Sequence, residues 1–592
     1  TEAQGMSKLS YLRGDRSNEQ TQAGGTLRTR GSRLGTIVNS NLWVQAESPL
    51  YPVEFNGHAA YRKLIRDQNR TPMLMVGAND GMLHVFNGKT GDEILAYVPL
   101  GVYSRLDGFT DPRYVHRYLV DGSPFAGDVD VSSSALSSGV EPNWKTYAVA
   151  PLGAGGRGYA VLDITSASTA ALQLNSTVVL DNSSASSQTS QTINDADDIG
   201  HMVSPPAADP IDPRRADQFV KLNNGRWAVL LGNGVNSVLE RASLLVQYLD
   251  GGRELLVIPA QSGDKLGNGL AAPRPLDVDG NGTADVVYAG DLLGNFWKFD
   301  LTRADPARWG VADWGGSTVC QPGGGTTCQP LMTAVDATGK AQSITVAPMW
   351  VPHPLGGVVL SFGTGRLLEE TDRTNKSVQT LYGVWDSTRY SRSGGIVTAS
   401  NGPLVASGTL RSKLVQQTIT GQVARTGGTT DFRNFFMTSR NAVLYTTNTA
   451  TSPRGWYIDL PPTGERLLSN PTLGSGTLVR FNTRVPAESQ TEGTCSTTPR
   501  PELGFLNIVS GLTGAPSVEP VFHSADPTLD LSNASRVQFG AGESVGIETG
   551  RRTVVFDLTS AGASPSDQTR TSPLELNRFT YVPRRIDWRI LP

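Results

Sequence analysis

The chain is poor in thiols, imidazoles and charge. Of its 592 residues three are cysteine, six are histidine and 18% are charged. The histidines, at positions 58, 84, 116, 201, 353 and 523, are dispersed with no pair at metal-ligand spacing, which argues against a zinc centre. His84 alternates with Leu83 and Val85 and reads as a solvent-facing strand residue. A net charge of −3 gives no basic field to hold nucleic acid or an anionic membrane. No apolar run reaches the ~18 residues needed for a membrane-spanning helix. The sequence opens on TEAQGMSK, neither a signal peptide nor an apolar anchor, so it reads as a fragment or mature form whose localisation signal has been cut away. Cys320 and Cys328 bracket a Gly-rich loop, QPGGGTT, which suggests a local disulfide and an oxidising compartment. A zinc site there would lack nearby partners, and Cys495 has no evident one.

What the sequence does have is turn chemistry. With 65 glycines and 36 prolines, and Ser, Thr and Asn between short apolar runs, it has the profile of many short strands joined by tight turns. From Pro72 the run MLMVGANDGMLHVFNGKTGDEILAYVP gives a strand, an Asn-Asp-Gly turn, a second strand and a Gly-Lys-Thr-Gly turn into a third. The register recurs: Gly77 and Gly81 precede Leu83 and Phe86 as Gly290 and Gly294 precede Phe296 and Phe299. Another copy begins at Gly504, and looser ones cover Trp144 to Thr165, Arg226 to Ser237, Gly356 to Leu368 and Asn441 to Asn448. Irregularly spaced copies of a unit that cannot bury both faces alone predict an all-β fold, a β-propeller of about seven blades with long insertions. The expected division is a small peripheral segment over residues 1–60, loosely helical at its start, and a propeller over residues 61–592.

The densest chemistry lies between Leu276 and Leu301. Asp277, Asp279 and Asn281 alternate, Thr283 falls where a calcium loop offers its backbone carbonyl, and Asp285 closes the series at position nine. Gly282 occupies position six, where such loops turn sharply. Position twelve is Tyr288 rather than Glu, and the flanks are prolines and β-formers, so the loop is not an EF-hand and should lead into a strand. The bland alternative is an Asx-turn hairpin, but carboxylates crowded this closely repel unless a cation or strong donors compensate. Ca²⁺ fits the spacing better than Mg²⁺, which dehydrates reluctantly.

Other patterns carry less. Gly153 to Gly158 fits G-x-G-x-x-G, but the YAVLDI that follows is a strand where a dinucleotide site needs a helix, so a hairpin turn is expected. Gly542 to Gly546 fits a nucleophile elbow around Ser544, again with strand-formers downstream, and no catalytic residue is assigned. Arg13-Gly14-Asp15 is the integrin-type tripeptide, here in a helical-looking run where chance occurrence is the stronger reading. Asp80-Gly81 with Thr90-Gly91 resembles the blade motif of quinoprotein dehydrogenases, yet Ile94 and Leu95 stand where that motif places its docking tryptophan. A lectin-like surface-binding propeller is a further alternative.

Several strings taken in order resemble the C-terminal propeller domain of the PilC/PilY family of type IV pilus-tip-associated proteins. They include YLRGD (Tyr11 to Asp15), RLGTIVNS (Arg33 to Ser40), VGANDGMLHVFNGKTG (Val76 to Gly91) and GAGGRGYAVLDIT (Gly153 to Thr165). They continue with GNGVNS (Gly232 to Ser237), ADVVYAGDLLGNFWKFDL (Ala284 to Leu301), FGTGRLLEETD (Phe362 to Asp372), RGWYIDLPPTGER (Arg454 to Arg466) and DWRIL (Asp587 to Leu591). The resemblance implies a non-enzymatic protein of the bacterial cell surface or fimbrium, exported through the periplasm and outer membrane. It implies action with minor pilins at the type IV pilus tip, in pilus biogenesis, twitching motility and adhesion to a host-cell or surface receptor. It also implies a single calcium loop that governs whether retraction is opposed, matching residue by residue onto Asp277, Asp279, Asn281, Thr283 and Asp285. The N-terminal region that such proteins usually carry lies outside this sequence.

Overall fold

In the computed structural model the apolar runs become strands buried on both faces. The structure describes residues 2–539 except 133–139, 173–174, 184–196, 210–211, 213, 264–265, 313–318, 321–327, 394–395, 401–409, 425–433, 447–451, 488–501, 525 and 527, and beyond 539 the backbone of strands 544–549, 552–557 and 574–577. Cys495 and most of the C-terminal run lie outside the described residues. The described strands form seven sheets of four to seven strands each, plus one separate two-stranded ribbon, which is the propeller that the repeats predict.

The first sheet joins Trp43–Gln45, Met73–Ala78, Met82–Asn87 and Glu93–Tyr97 antiparallel, so its outer strand comes from within the 1–60 stretch. The third runs Phe219–Leu222, Trp227–Gly232, Ser243–Tyr248 and Leu255–Pro259. The fourth is built on Arg274–Leu276, Val286–Gly290 and Asn295–Asp300, and the fifth on Met349–Pro352, Val358–Gly363, Thr380–Asp386 and Gly455–Asp459. Because successive side chains point to opposite faces, the third, fourth and fifth sheets each feed two cores. In the fourth, Val287, Ala289, Trp297 and Phe299 pack with the third sheet, while Val286, Tyr288 and Phe296 pack with the fifth. Each large side chain buried in this way contributes ~1.5–3 kcal/mol.

The recurring strand-end glycines have a packing cause. A Cβ on Gly290 would collide with Ile344, and one on Gly77 would lie 2.8 Å from the Val120 carbonyl oxygen. Ile344 and Val120 lead into the following sheets, so each glycine lets the next blade approach. Arg274 ties three sheets together: it donates to the carbonyls of Ala208 (2.8 Å) and Pro348 (2.9 Å) and pairs with Asp217.

Several expectations are corrected or met here. His84 is not solvent-facing: it is buried, with Nε2 3.1 Å from Asp80 and Nδ1 2.5 Å from Glu93. Its alternation misled because Asp80 and Glu93 of the same sheet close over the ring and Phe86 stacks beside it. Arg13-Gly14-Asp15 is not helical; the helix Glu2–Leu12 ends before it, Gly14 takes φ +98°, and the Asp15 carboxylate accepts the Ser17 amide at 2.8 Å. Cys320 and Cys328 are disulfide-bonded with Cα atoms 5.5 Å apart. Gly153–Gly155 is a short turn between antiparallel strands Trp144–Pro151 and Tyr159–Asp163, as a hairpin requires. Ser544 begins a strand, Ser544–Thr549.

Candidate metal centre

The acidic loop, 277–285, connects Arg274–Leu276 to Val286–Gly290, whose antiparallel register places Leu276 opposite Val286. It does not stay within its own blade. Thr283 and Ala284 pair in parallel with Lys221 and Leu222, adding a short strand to the third sheet. The loop therefore bridges the seam between two blades.

Within it the Asx geometry is dense. Asp277 Oδ1 accepts the Gly280 amide (2.7 Å) and the Asn281 amide (3.2 Å), and Oδ2 accepts the Gly282 amide (2.7 Å). Asp279 Oδ1 accepts the Asn281 amide at 3.1 Å. Asn281 Oδ1 accepts both the amide (2.6 Å) and the hydroxyl (2.5 Å) of Thr283. Gly282 takes φ +92°, and a Cβ there would come 2.9 Å from the Phe55 ring and 3.2 Å from Val53, so residues from the N-terminal stretch press on the loop. No side chain fits that position.

The structure brings Asp277, Asp279 and Asp285 together, with carboxylate oxygens all within 4.8 Å of one another. It is the sole such His, Cys, Asp or Glu grouping among the described residues. Asp285 is fully buried; burial pushes its carboxyl up to about 7, against the donors Asn223 and Val278, and the charges of Asp279 and Asp277 push the same way. Burial likewise raises Asp277, with the charge of Asp279 adding to it. A divalent cation would relieve this crowding. The donor set is all oxygen, as a hard cation requires. The residues present thus fit a Ca²⁺ ion held by the side chains of Asp277, Asp279, Asn281 and Asp285 and the carbonyl of Thr283.

Two contributors were invisible in the local sequence. Asn223, just past the innermost strand of the third sheet, donates to Asp285 Oδ1 (2.9 Å) and to the carbonyls of Ala284 (3.2 Å) and Leu301 (3.0 Å). It fixes the buried carboxylate from the neighbouring blade. Arg392, from the two-stranded ribbon inserted in the fifth sheet, donates to Asp279 Oδ2 at 2.7 Å. No spacing rule reaches across such distances in sequence.

A second polar cluster has the residue types of a hydrolase but not the arrangement. Ser48, His58 and Asp128 are all buried, and Asp128 Oδ2 accepts from Ser48 while lying 3.1 Å from His58 Nε2. His58 Nε2 also lies 3.4 Å from Ser48 Oγ, so one ring nitrogen faces both the hydroxyl and the carboxylate, whereas a triad engages the two on opposite ring nitrogens.

Fold and loop together define a β-propeller that carries an acidic loop across one blade seam. The sequence model of the PilY1 beta-propeller domain matches residues 34–425. The chain belongs to the PilY1 family. It is 33% identical over 82% of its length to the type IV pilus biogenesis factor PilY1 of Pseudomonas aeruginosa strain PAK. It is also 33% identical over 81% of its length to a PilY1 homolog of Xylella fastidiosa. It spans 39% and 30% of those two proteins' own lengths. The crystal structure of the Pseudomonas aeruginosa PilY1 C-terminal domain superposes with a TM-score of 0.63 at 25% identity, covering 90% of this chain and 99% of that one.

Proposed function

We propose that this chain is the calcium-binding propeller of a type IV pilus biogenesis and tip protein, which works with minor pilins to set pilus extension against retraction and so supports twitching motility and adhesion to a host-cell or other surface receptor. Family membership and the names of the relatives, type IV pilus biogenesis factors, support the pilus setting. The observation that carries the calcium reading is the convergence of three carboxylates within 4.8 Å beside Asn281 and Thr283. The disulfide between Cys320 and Cys328 suits an exported protein at the cell surface or fimbrium. No helix among the described residues is long and apolar enough to cross a membrane.

Ca²⁺ would supply charge here rather than chemistry at a substrate. It would offset the carboxylate charge of Asp277, Asp279 and Asp285 and hold the loop across the seam, so that the surface above it presents one conformation to a partner. Calorimetric titration of Ca²⁺ into wild type and into Asp285→Asn tests this. Wild type should bind with a defined heat and the variant at least roughly a hundredfold more weakly, since a buried ligand charge is lost. Equal heats from the two proteins would sink the calcium reading.

A further inference from the structure

The ribbon that supplies Arg392 consists of Arg389–Ser393 paired antiparallel with Ile396–Ser400. It forms its own two-stranded sheet, and ribbons of that size are marginal in water unless something outside holds them. Its base is well held. Asp386 accepts from Lys298 Nζ at 2.6 Å and from the Tyr288 hydroxyl at 2.7 Å, Thr388 Oγ1 lies 3.1 Å from the same ammonium, and the Tyr390 ring centroid is 5.2 Å from it. Further along, residues directly opposite in the register share a face, and the burial shows which face turns inward. Tyr390 and Ala399 are half-buried and Val397 is buried, whereas Ser391, Arg392, Ser393, Ile396 and Thr398 are exposed. Arg392 pairs with Val397 in the register and so lies on the inward face, where its guanidinium meets Asp279.

Each of the two carboxylate oxygens of Asp279 accepts a hydrogen bond. Oδ1 takes the Asn281 amide and Oδ2 takes Arg392. The arginine therefore places a positive charge on one of the three carboxylates that converge in the loop. A divalent cation drawn into the same few ångströms would be a like charge to the guanidinium, and the two would draw on the same carboxylate.

We infer that Arg392 is a built-in counter-ion of the acidic loop that competes with the cation for Asp279, so that cation binding loosens the inward face of the ribbon 389–400 from the propeller. This rests on the reading of 277–285 as a cation site, and it adds a regulator and a direction. The coupling is reciprocal: whatever factor the docked ribbon takes from cation affinity, the bound cation takes from ribbon docking. A partner that grips the ribbon and pulls it away would then raise the affinity for the cation, and one that presses it home would lower it. Arg392 keeps 39% of its side chain exposed, so water screens the pair and the factor is modest.

The test is Ca²⁺ calorimetry and amide exchange on wild type, Arg392→Gln and Arg392→Lys. Arg392→Gln should bind Ca²⁺ roughly three- to tenfold more tightly than wild type, with Arg392→Lys between them. In wild type the ribbon amides should exchange faster on adding Ca²⁺; in Arg392→Gln they should exchange fast with or without it. Weaker or unchanged Ca²⁺ binding in Arg392→Gln, or a ribbon whose exchange Ca²⁺ slows, would overturn the competition and leave the calcium site standing. No binding by any of the three proteins would overturn both.

Discussion

Asp285 shows how a single residue joins local and distant structure. Its place at the ninth position of the loop is written in the sequence, but its environment is not: Val278 from its own loop and Asn223 from the next blade hold the two oxygens. Burial of a carboxylate with two like charges nearby costs folding energy, which a bound cation would offset. His353 shows the same dependence away from the loop. Its ring lies 4.3 Å from Trp385 and 4.4 Å from Tyr445, its Nδ1 accepts the Leu355 amide at 3.1 Å, and burial pulls its pKa down to about 4. The folded state therefore binds fewer protons than the unfolded chain between the ordinary histidine value and about 4. Stability at this position is present above about 6.5 and is lost as pH falls through that window. Thermal melts at pH 7.5 and 4.5 should show a fall in Tm that His353→Phe reduces by roughly 2–4 °C; an identical fall in both proteins would contradict this assignment.

At the scale of elements, the strands were the most legible part of the sequence. Runs such as Val286–Gly290 and Trp227–Gly232 read as strands because they are short, apolar and bounded by turn residues, and they are buried throughout. The helix His58–Asp67 was missed, although His58, Tyr61 and Ile65 fall on one face and are its buried residues. That spacing was the available signal, overshadowed by the β pattern beginning at Pro72. Pairing between elements was hidden altogether. Lys298 on the fourth sheet and Asp386 on the fifth are both buried. Burial opposes the charge on each, but their mutual attraction prevails, leaving the ammonium pKa raised and the carboxyl pKa lowered. Breaking such a pair strands a charge. Lys298→Met should cost ~3–5 kcal/mol in urea unfolding, and adding Asp386→Leu should recover part of the loss. If the single variant were as stable as wild type, the pair would not be what clasps this seam.

At the scale of the whole molecule, the acidic loop is a junction. Val53 and Phe55 press on Gly282, Thr283 and Ala284 pair with the third sheet, the flanking strands belong to the fourth, and Arg392 arrives from the ribbon of the fifth. A cation at such a point stabilises the folded state by mass action, by about 2.7 kcal/mol at a concentration a hundredfold above Kd. Scanning calorimetry should therefore show a lower Tm after chelation than in Ca²⁺, and Asp285→Asn should show no such difference. Identical melting of wild type in both conditions would count against a cation in the folded protein.

The sequence by itself determined what is set over a few residues. Turn chemistry and short apolar runs gave a propeller of the right size, and the loop's alternating oxygen residues foretold that Asp277, Asp279 and Asp285 converge, because backbone geometry fixes which side chains within a short loop can meet. The spacing of Cys320 and Cys328 likewise gave their disulfide. Only the tertiary structure decided what meets that loop from elsewhere. Asn223, Phe55 and Arg392 reach it because successive blades pack side by side and their insertions fold back over the seams, and that proximity leaves no trace in spacing along the chain. His84 marks a nearer limit: alternation tells which face a side chain takes, but not that Asp80 and Glu93 fold over it there.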